Sequence, residues 1–452
     1  MNPNAAPQPA ERTGDAAANS RPSLLPRLSR LSRLSRFSNW SSSASAMLVA
    51  LASAFALSQA FRTVGAMMAT PLTGHFGLTP QQLGIWAGTF HFAFGIMQLA
   101  MGVSIDMFGV RRTVLTAFPL AVAGAVLCAV APNYHALLLG QALIGVGCAP
   151  AFLACTVFIA RHFDASRFTA MSGLVMSMAG LGIVFTGTPL ALLIEAASWR
   201  AGYAVLAGVA VLSWLVIFWR VREPAHAAVT AVAAVTESAP AAPAERQSLG
   251  KAVRELLPLF AMPHTLGLVC FACVSYAAFI TLRGLWLGPV LHERHGLSLV
   301  ASGNVALVMT VAGMISPALF GRMDPGGSAR TRWMMGCALA GALMFAAMAF
   351  TNSRAVDIGL PIVYGLLSGY SVLQYAYTKN AYPAAMTGRA LALMNMAMFL
   401  GVSLMQWTTG VAASWAVDHG AEPFRAVFLT VAGMLAAGTL AFLLLPRAQG
   451  AR

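Results

Sequence analysis

Twelve long apolar stretches, separated by short polar segments, follow one another between residues 44 and 445 of the 452-residue chain. A helix rises 1.5 Å per residue, so about 20 residues cross roughly 30 Å of hydrocarbon. The predicted spans are 44–72, 82–104, 113–131, 135–160, 168–194, 201–219, 262–290, 299–320, 332–350, 357–378, 389–416 and 424–445. This pattern predicts an all-α membrane protein with 12 transmembrane helices.

The composition supports a lipid environment. Hydrophobic residues make up 58% of the chain and charged residues only 9%, whereas soluble domains carry about 25% charged residues. The net charge of +14 would suggest nucleic acid in a soluble protein. Here the basic residues lie between the apolar stretches, where they determine membrane topology. We therefore expect a lipid bilayer and no nucleic acid as partner.

The polar segments divide the chain into two six-helix bundles with flanking tails. We predict a disordered basic N-terminal tail (1–43), an N-terminal bundle (44–219), a cytoplasmic linker (220–261), a C-terminal bundle (262–446) and a C-terminal tail (447–452). The N-terminal tail is too long and polar to be a cleavable signal peptide.

The distribution of basic residues predicts the orientation. With the N-terminus in the cytoplasm, 22 of the 28 Lys and Arg residues lie in the tails and cytoplasmic loops. Only four lie on the outer side, namely Arg200, Arg294, Arg354 and Arg425. Basic residues are enriched in cytoplasmic loops. We expect a multi-pass protein of the bacterial inner membrane with both termini in the cytoplasm.

Two local matches indicate an internal repeat. The segment that begins at Trp199 resembles the one that begins at Phe424, 225 residues later. Arg62, near the end of the first predicted span, is matched by Arg283 near the end of the seventh, and each is followed by a proline and then a glycine-led turn. Matches of this kind predict two pseudo-symmetric halves in the same orientation.

A charged loop carries a family resemblance. The segment from Gly102 through Asp106 and Gly109 to Arg111 and Arg112 resembles the G-x-x-x-D-R/K-x-G-R-R/K loop of the major facilitator superfamily. Met107 replaces the usual basic residue. A shorter copy with Asp324 spans residues 321–332, and Gln141 begins a Q-x-x-x-G segment similar to the family's R-x-x-x-G pattern. The resemblance covers nearly the whole chain after residue 43. It implies alternating access by two rocking halves, without cofactors.

The loop residues suggest a conformational latch. Glycine permits tight turns and close helix approach, and Asp106 can cap a helix or pair with a basic residue. We predict a latch formed by Gly102, Asp106, Gly109, Arg111, Arg112 and Asp324.

Arg62 and Arg283 are the candidate contacts for substrate. An arginine deep in a membrane costs at least about 2.5–3.5 kcal/mol, so it should face a cavity and have a partner. No carboxylate occurs at a similar depth, and Glu195 comes closest. We expect the two side chains to face each other and to bind an anionic substrate bidentately. This is similar to the organic-anion and organophosphate branches of the superfamily. The alternatives are bonding to backbone carbonyls, snorkelling, or pairing with Glu195 or another acid.

Other polar residues within the predicted spans complete the candidate site. His91 is a candidate for a coupling proton because histidine titrates near neutral pH; the alternative is a hydrogen-bonded packing residue. Further candidates for the cavity are Gln141, Tyr276, Gln374 and Asn395. Cys270 and Cys273 have no accompanying ligand cluster, so we expect no metal site.

These features favour a monomeric secondary transporter of a small organic anion, and no enzyme, because nucleotide-binding and nucleophile motifs are missing from the sequence. The alternatives are a proton-driven exporter of drugs or metabolites within the same superfamily, and a receptor or scaffold that uses the transporter fold.

Overall fold

The computed structural model describes residues 43–222, 250, 254 and 256–446. The predicted N-terminal tail, most of the linker and the C-terminal tail lie outside these residues. By its contacts the chain divides into Met1–Ser45, of which only the start of the first helix is described, and Ala46–Arg452, which contains the structure that follows.

The N-terminal half contains the first six spans, several of which are interrupted. Span 1 consists of Ser43–Thr63 and Gly65–Phe76, spans 2 and 3 share Pro80–Ala129, span 4 consists of Tyr134–Cys148 and Ala151–His162, span 5 of Ala165–Phe185 and Thr188–Ala196, and span 6 is Trp199–Arg220. The break in span 4 falls at Pro150, which lacks the N–H that a continuous helix needs.

The C-terminal half repeats this arrangement after a short helix, Leu257–Phe260, inside the predicted linker. Span 7 runs from Pro263–Thr281 through Leu282–Trp286, Leu287–Pro289 and Val290–Arg294; span 8 is Leu299–Arg322; span 9 is Gly327–Phe350; span 10 consists of Arg354–Leu367, Ser368–Tyr370 and Ser371–Ala381; span 11 is Ala384–Asp418; span 12 is Pro423–Leu444. Two segments of span 7, Leu282–Trp286 and Val290–Arg294, are wider π-helical turns.

Spans 2 and 3 form one bent helix of 50 residues, Pro80–Ala129. A straight helix of this length would measure about 75 Å, more than twice the hydrocarbon thickness. Gly109, with φ 82° and ψ 169°, interrupts it, in a conformation that glycine alone adopts readily. Eleven helices in the described residues are long and apolar enough to cross a membrane, and this one supplies two crossings. The predicted 12 crossings are therefore consistent with the fold.

The predicted boundaries differ from the observed ones by a few residues at most ends. The largest differences lie at spans 9 and 11, which begin at Gly327 and Ala384 rather than at 332 and 389. Between spans 2 and 3, the predicted non-helical loop 105–112 is helical on both sides of Gly109. A helix can extend beyond the hydrocarbon layer through polar residues, because water at the membrane surface hydrogen-bonds to their side chains. Hydropathy marks the hydrocarbon layer rather than the helix end.

The two halves pack closely at the end that the charge pattern predicts to be extracellular, here called the outer end. Glycines of both spans allow spans 1 and 7 to touch. A Cβ on Gly288 of span 7 would overlap the Ala66 carbonyl of span 1, and a Cβ on Gly65 of span 1 would lie 2.5 Å from the Gly284 carbonyl oxygen of span 7. Spans 2 and 11 approach in the same way at Gly84. Small residues allow this close approach of backbones. The outer end is therefore closed.

Candidate functional site

Arg62 lies near the middle of span 1, about 20 Å from the outer end of the span at 1.5 Å per residue. Its side chain is 7% exposed. The guanidinium carbon lies 4.3 Å from the ring centre of Phe94 in span 2 and 4.7 Å from that of Phe399 in span 11. One residue from each half thus contacts the same cation by cation–π attraction. Within span 1, Nη2 of Arg62 donates a 3.4 Å hydrogen bond to the hydroxyl of Ser58.

Polar residues of the C-terminal half surround this cation. Tyr276 of span 7 lies next to Arg62, and its ring packs edge-on against Phe399 with centroids 5.7 Å apart. Tyr375 of span 10 donates a 2.7 Å hydrogen bond to Asn395 of span 11, and Tyr375 is 40% exposed. Hydroxyl and amide groups therefore border Arg62 on a side that remains accessible.

Gln374 and Gln141 tie neighbouring spans together. Gln374 donates a 2.7 Å hydrogen bond to Ser275 of span 7, while its side-chain oxygen is buried without a partner. Gln141 donates a 2.9 Å hydrogen bond to the hydroxyl of Tyr203 in span 6. Both contacts join spans within one half, which is the common role of amides in membrane bundles.

His91 lies on span 2 beside Phe90, and both residues line a small cavity with Arg62 and Gln141. The ring is 1% exposed. Its Nδ1 lies 3.3 Å from the carbonyl oxygen of Ala87, one helical turn earlier. The structure therefore brings together Arg62, His91 and Gln141, three of the predicted site residues.

Arg283 is completely buried in span 7, in the first π-helical segment. Its Nε donates a 2.8 Å hydrogen bond to Thr310 of span 8. Its Nη2 reaches the other half, where it donates to the carbonyl of Ile183 at 3.2 Å and to Thr186 at 3.4 Å. Thr186 is also hydrogen-bonded to Thr63 of span 1 at 2.7 Å. Arg283 therefore bonds directly to spans 8 and 5 and is linked to span 1 through Thr186.

The two arginines are neighbours along the backbone contact of spans 1 and 7, but their guanidinium groups contact different residues. A Cβ on Gly284 would lie 3.0 Å from the carbonyl oxygen of Arg62. In this conformation Nε and Nη2 of Arg283 bond to hydroxyls and a backbone carbonyl, whereas Nη1 is buried without a hydrogen-bond partner among the described residues. Among the residues that the structure describes, no carboxylate is paired with either arginine. Glu195 instead accepts a 3.1 Å hydrogen bond from the backbone of Val300 at the start of span 8.

The first signature loop places Gly109 at the bend between spans 2 and 3. Arg111, two residues later, donates hydrogen bonds of 2.6 and 3.1 Å to the carbonyls of Val221 and Phe218. These carbonyls belong to the end of span 6, where a cation is favourable. Asp106 is exposed with Arg161 nearby. The loop thus fixes the inner ends of spans 2, 3 and 6.

The remaining loop residues have simpler surroundings. Gly102 lies on span 2, where an added Cβ would make ordinary contact with Leu153. Arg112 is exposed and borders a groove on spans 2 to 4. In the second copy, Asp324 accepts hydrogen bonds of 2.8 and 2.6 Å from Arg330 and one of 3.0 Å from the backbone of Gly326. These donors hold the pKa of Asp324 below its ordinary value, the contact with Arg330 being the largest cause.

Several residues of the site were not predicted from the sequence. Phe94 and Phe399 are ordinary members of apolar helices, and only their positions next to Arg62 distinguish them. Gln406 is a polar residue within span 11 that was not selected from the sequence, although its polarity was a signal. Tyr375 directly follows the predicted Gln374, but successive helical residues point about 100° apart, so Gln374 did not indicate it.

Comparison with known proteins agrees with this architecture. The sequence model of the Major Facilitator Superfamily matches residues 50–406. The chain is 26% identical over 307 residues to a probable sulfoacetate transporter of Cupriavidus necator, covering 64% of this chain and 68% of that one. It is 23% identical over 388 residues to a probable L-galactonate transporter of Escherichia coli, covering 82% of each.

Solved structures show the same fold. A D-xylose–proton symporter aligns with a TM-score of 0.69 at 16% identity, covering 90% of this chain and 99% of that one. A variant of the nucleoside transporter NupG aligns with a TM-score of 0.70 at 13% identity, covering 88% and 99%. Fold, span count and family match agree: the chain is a multi-pass membrane transporter, not an enzyme, and it belongs to the major facilitator superfamily.

Proposed function

We propose that this protein is a secondary transporter that moves a small organic anion across the bacterial inner membrane, with both termini in the cytoplasm. Arg62 is the contact for the anionic group. The observation that carries the proposal is the environment of Arg62: a nearly buried cation between Phe94 and Phe399, without a carboxylate partner among the described residues.

The physical argument concerns the cost of that charge. A guanidinium cannot lose its proton to avoid burial, and an arginine at mid-membrane costs at least about 2.5–3.5 kcal/mol. Two aromatic faces offset part of this cost, at about 0.5–2 kcal/mol each. A bound carboxylate, sulfonate or phosphate would offset the rest, and it would add charge-assisted hydrogen bonds.

The relatives support an anionic cargo. Three of them are named as a probable sulfoacetate transporter, a probable L-galactonate transporter and a hexuronate transporter. Each of these named solutes is an organic acid that is ionised at neutral pH.

The other predicted site residues have roles that follow from their positions. Tyr276 and Asn395 border Arg62 and would hydrogen-bond the polar body of the solute. Gln374 holds spans 7 and 10 together behind them. Arg283 would join the clamp only in a conformation in which span 5 has moved away from span 7, because its Nη2 is engaged with Ile183 here.

We infer from the closed outer end that this conformation belongs to the inward-facing part of the transport cycle. The solute would then enter or leave on the side of Tyr375. In the outward-facing part, the glycine contacts between spans 1 and 7 would separate. The loops around Gly109 and Asp324 would act as latches at the inner ends of the spans.

Coupling to a proton is assigned to His91, which lines the same cavity as Arg62. A positive charge on His91 would be opposed by the nearby guanidinium, and a bound anion would cancel that opposition. Anion and proton would therefore favour each other's binding, which is the linkage that a symporter needs.

Uptake into proteoliposomes tests the proposal, with sulfoacetate, L-galactonate and D-glucuronate as probes under an imposed pH gradient. Hydrogen bonds to a charged group contribute about 1.5–3 kcal/mol, so Arg62→Ala should reduce uptake roughly 10- to 100-fold. Arg62→Lys should recover only part of it, because an ammonium lacks the planar fork. Arg354→Ala is the control, because Arg354 is exposed at the outer end.

The aromatic pair provides a second set of variants. Phe399→Leu should weaken binding of the same probes severalfold by removing one cation–π contact, whereas Phe92→Leu on the exposed face of span 2 should leave it unchanged. Unaltered uptake by Arg62→Ala, or transport restricted to cationic or neutral solutes, would refute the anion proposal and favour an exporter.

A further inference from the structure

The cavity between Arg62 and His91 has the dimensions of one water molecule. It offers about 10 Å³ of room for a water-sized sphere, and a cavity must offer roughly 10–15 Å³ by this measure to hold a water. It lies where span 1, span 2 and span 4 meet Gly284 of span 7. The cavity is therefore large enough for a single water and too small for a solute.

Three residues that line the cavity carry buried polar atoms without a hydrogen-bond partner in the described part of the chain. These atoms are Nε of Arg62, Nε1 of Trp86 and Nε2 of His91. Unpartnered buried polar atoms are rare in native structures, and ordered water commonly satisfies them. A water needs two to four polar partners, and here it has three.

The hydrogen-bond roles of these three atoms are complementary to one water. Arg62 Nε and Trp86 Nε1 can only donate. His91 Nδ1 lies 3.3 Å from the carbonyl oxygen of Ala87, which can only accept, so Nδ1 carries the proton in the neutral ring. Nε2 is then an acceptor. A water would receive two hydrogen bonds, donate one to Nε2 and keep one hydrogen for Gln141.

We propose that one ordered water bridges Arg62, Trp86 and His91, so that His91 is a positioning residue that acts on Arg62 through this water. The bridge fixes the guanidinium from its Nε edge. The two terminal nitrogens then remain for Ser58, for Tyr276 and for the solute. The water itself follows from the cavity and its lining, whereas its effect on anion binding rests on the proposed function.

Gln406 competes with the water for the ring of His91, because it is a hydrogen-bond neighbour of that ring and its amide has no other partner among the described residues. The response of the ring to Trp86→Phe, described below, distinguishes the two. Arg62 faces it from span 1, Gln141 from span 4 and Gln406 from span 11. The described carboxylates lie at or near the ends of spans or in the loops between them. His91 therefore responds mainly to the charge of Arg62 and to whatever neutralises that charge.

A structural arm tests the water without any substrate. In the purified full-length protein labelled with ¹⁵N-histidine, the His91 signal, assigned by its loss in His91→Gln, should show an unprotonated, hydrogen-bonded Nε2. Trp86→Phe should shift that signal, and Trp214→Phe, whose indole donates to the Leu115 carbonyl, should not. A proton on Nε2 in the wild type would overturn the bridge, and this measurement needs no Trp86 variant.

A functional arm tests the positioning role with sulfoacetate, L-galactonate and D-glucuronate. The readout is the Kd of equilibrium binding, because His91 is also the proposed site of the coupling proton and uptake would change for that reason alone. His91→Gln retains an acceptor for the water and should keep the Kd within about threefold. His91→Phe removes the acceptor and should raise the Kd about tenfold, as expected for one lost hydrogen bond to a charged group. Equal Kd values in the two variants would refute the positioning role. If the NMR result holds and none of these anions binds even the wild type, the proposed function fails and the water site stands.

Discussion

Nη2 of Arg283 donates a 3.2 Å hydrogen bond to the backbone carbonyl of Ile183, which belongs to the other half of the protein. The carbonyl lies in the last turn of Ala165–Phe185, where a helix leaves carbonyls without intrahelical partners and favours a cation. The contact therefore stabilises the arrangement in which spans 5 and 7 are close together.

Arg283→Gln should increase the population with an open outer end, because glutamine is too short to reach both Thr310 and Ile183. Spin labels on His135 and Asn352, both exposed on the outer side, would report a larger fraction of long distances. Arg200→Gln is the matched control, since Arg200 bonds to His75 and Ala131 within its own half. An unchanged distance distribution in Arg283→Gln would contradict the stabilising role.

Gly288→Ala should prevent full closure of the outer end. The added Cβ would overlap the Ala66 carbonyl, and backbone atoms cannot rotate away as a side chain can. The same spin labels should report an open outer end, and transport should fall at least about tenfold, since a shift of 1.4 kcal/mol is already tenfold in a population.

Gly433→Ala in span 12 separates this effect from helix propensity. An added Cβ there meets no atom within 4 Å, and alanine favours a helix over glycine by about 1 kcal/mol. Wild-type transport with equal or higher thermal stability is expected. Loss of transport in this control as well would show that glycine flexibility, rather than close approach, matters.

Asp324→Asn should lower thermal stability relative to the wild type at neutral pH, and this difference should disappear in acid. Arg330 holds the pKa of Asp324 below its usual value of 3.8, so the folded state favours the ionised form. The resulting stability is present above about pH 4 and is lost as the pH falls through the lower, folded-state pKa. A partly exposed pair contributes up to about 1 kcal/mol, so a change of 1–2 °C in Tm is expected.

The control for this prediction is Asp418→Asn. Asp418 is exposed at the end of span 11 and forms no ion pair in the described residues. Thermal unfolding in a single detergent between pH 3 and pH 8 should separate the two variants at neutral pH and bring them together near pH 3. A constant difference across this range would show that the carboxylate charge is not the cause.

Much of the fold followed from hydropathy alone, because the thickness of the hydrocarbon layer sets the minimum length of every apolar span. The family match and the fold confirm the predicted superfamily and are consistent with the 12 crossings. The breaks inside spans 1, 4, 5, 7 and 10 were not predicted, since an apolar helix with a break has the same composition as one without. Pro150 in span 4 and Pro189 in span 5 were local signals, but the effect of a proline depends on neighbouring spans.

The site shows a similar division. Arg62, His91 and Gln141 could be named because polar residues are rare at this depth and line the same cavity. The direction of the Arg283 side chain could not be predicted, since its acceptor is the backbone carbonyl oxygen of Ile183 at the end of a helix. Backbone acceptors have no signature in the sequence. The roles of these residues in transport stay predictions.

The two buried arginines also have an electrical consequence. Neither can release its proton, so both charges remain on the protein whether or not it carries a solute. A charge that crosses the full membrane thickness changes its energy by about 2.3 kcal/mol per 100 mV. Any displacement of Arg62 or Arg283 along the membrane normal is therefore a gating current, and the return of the empty carrier should depend on voltage.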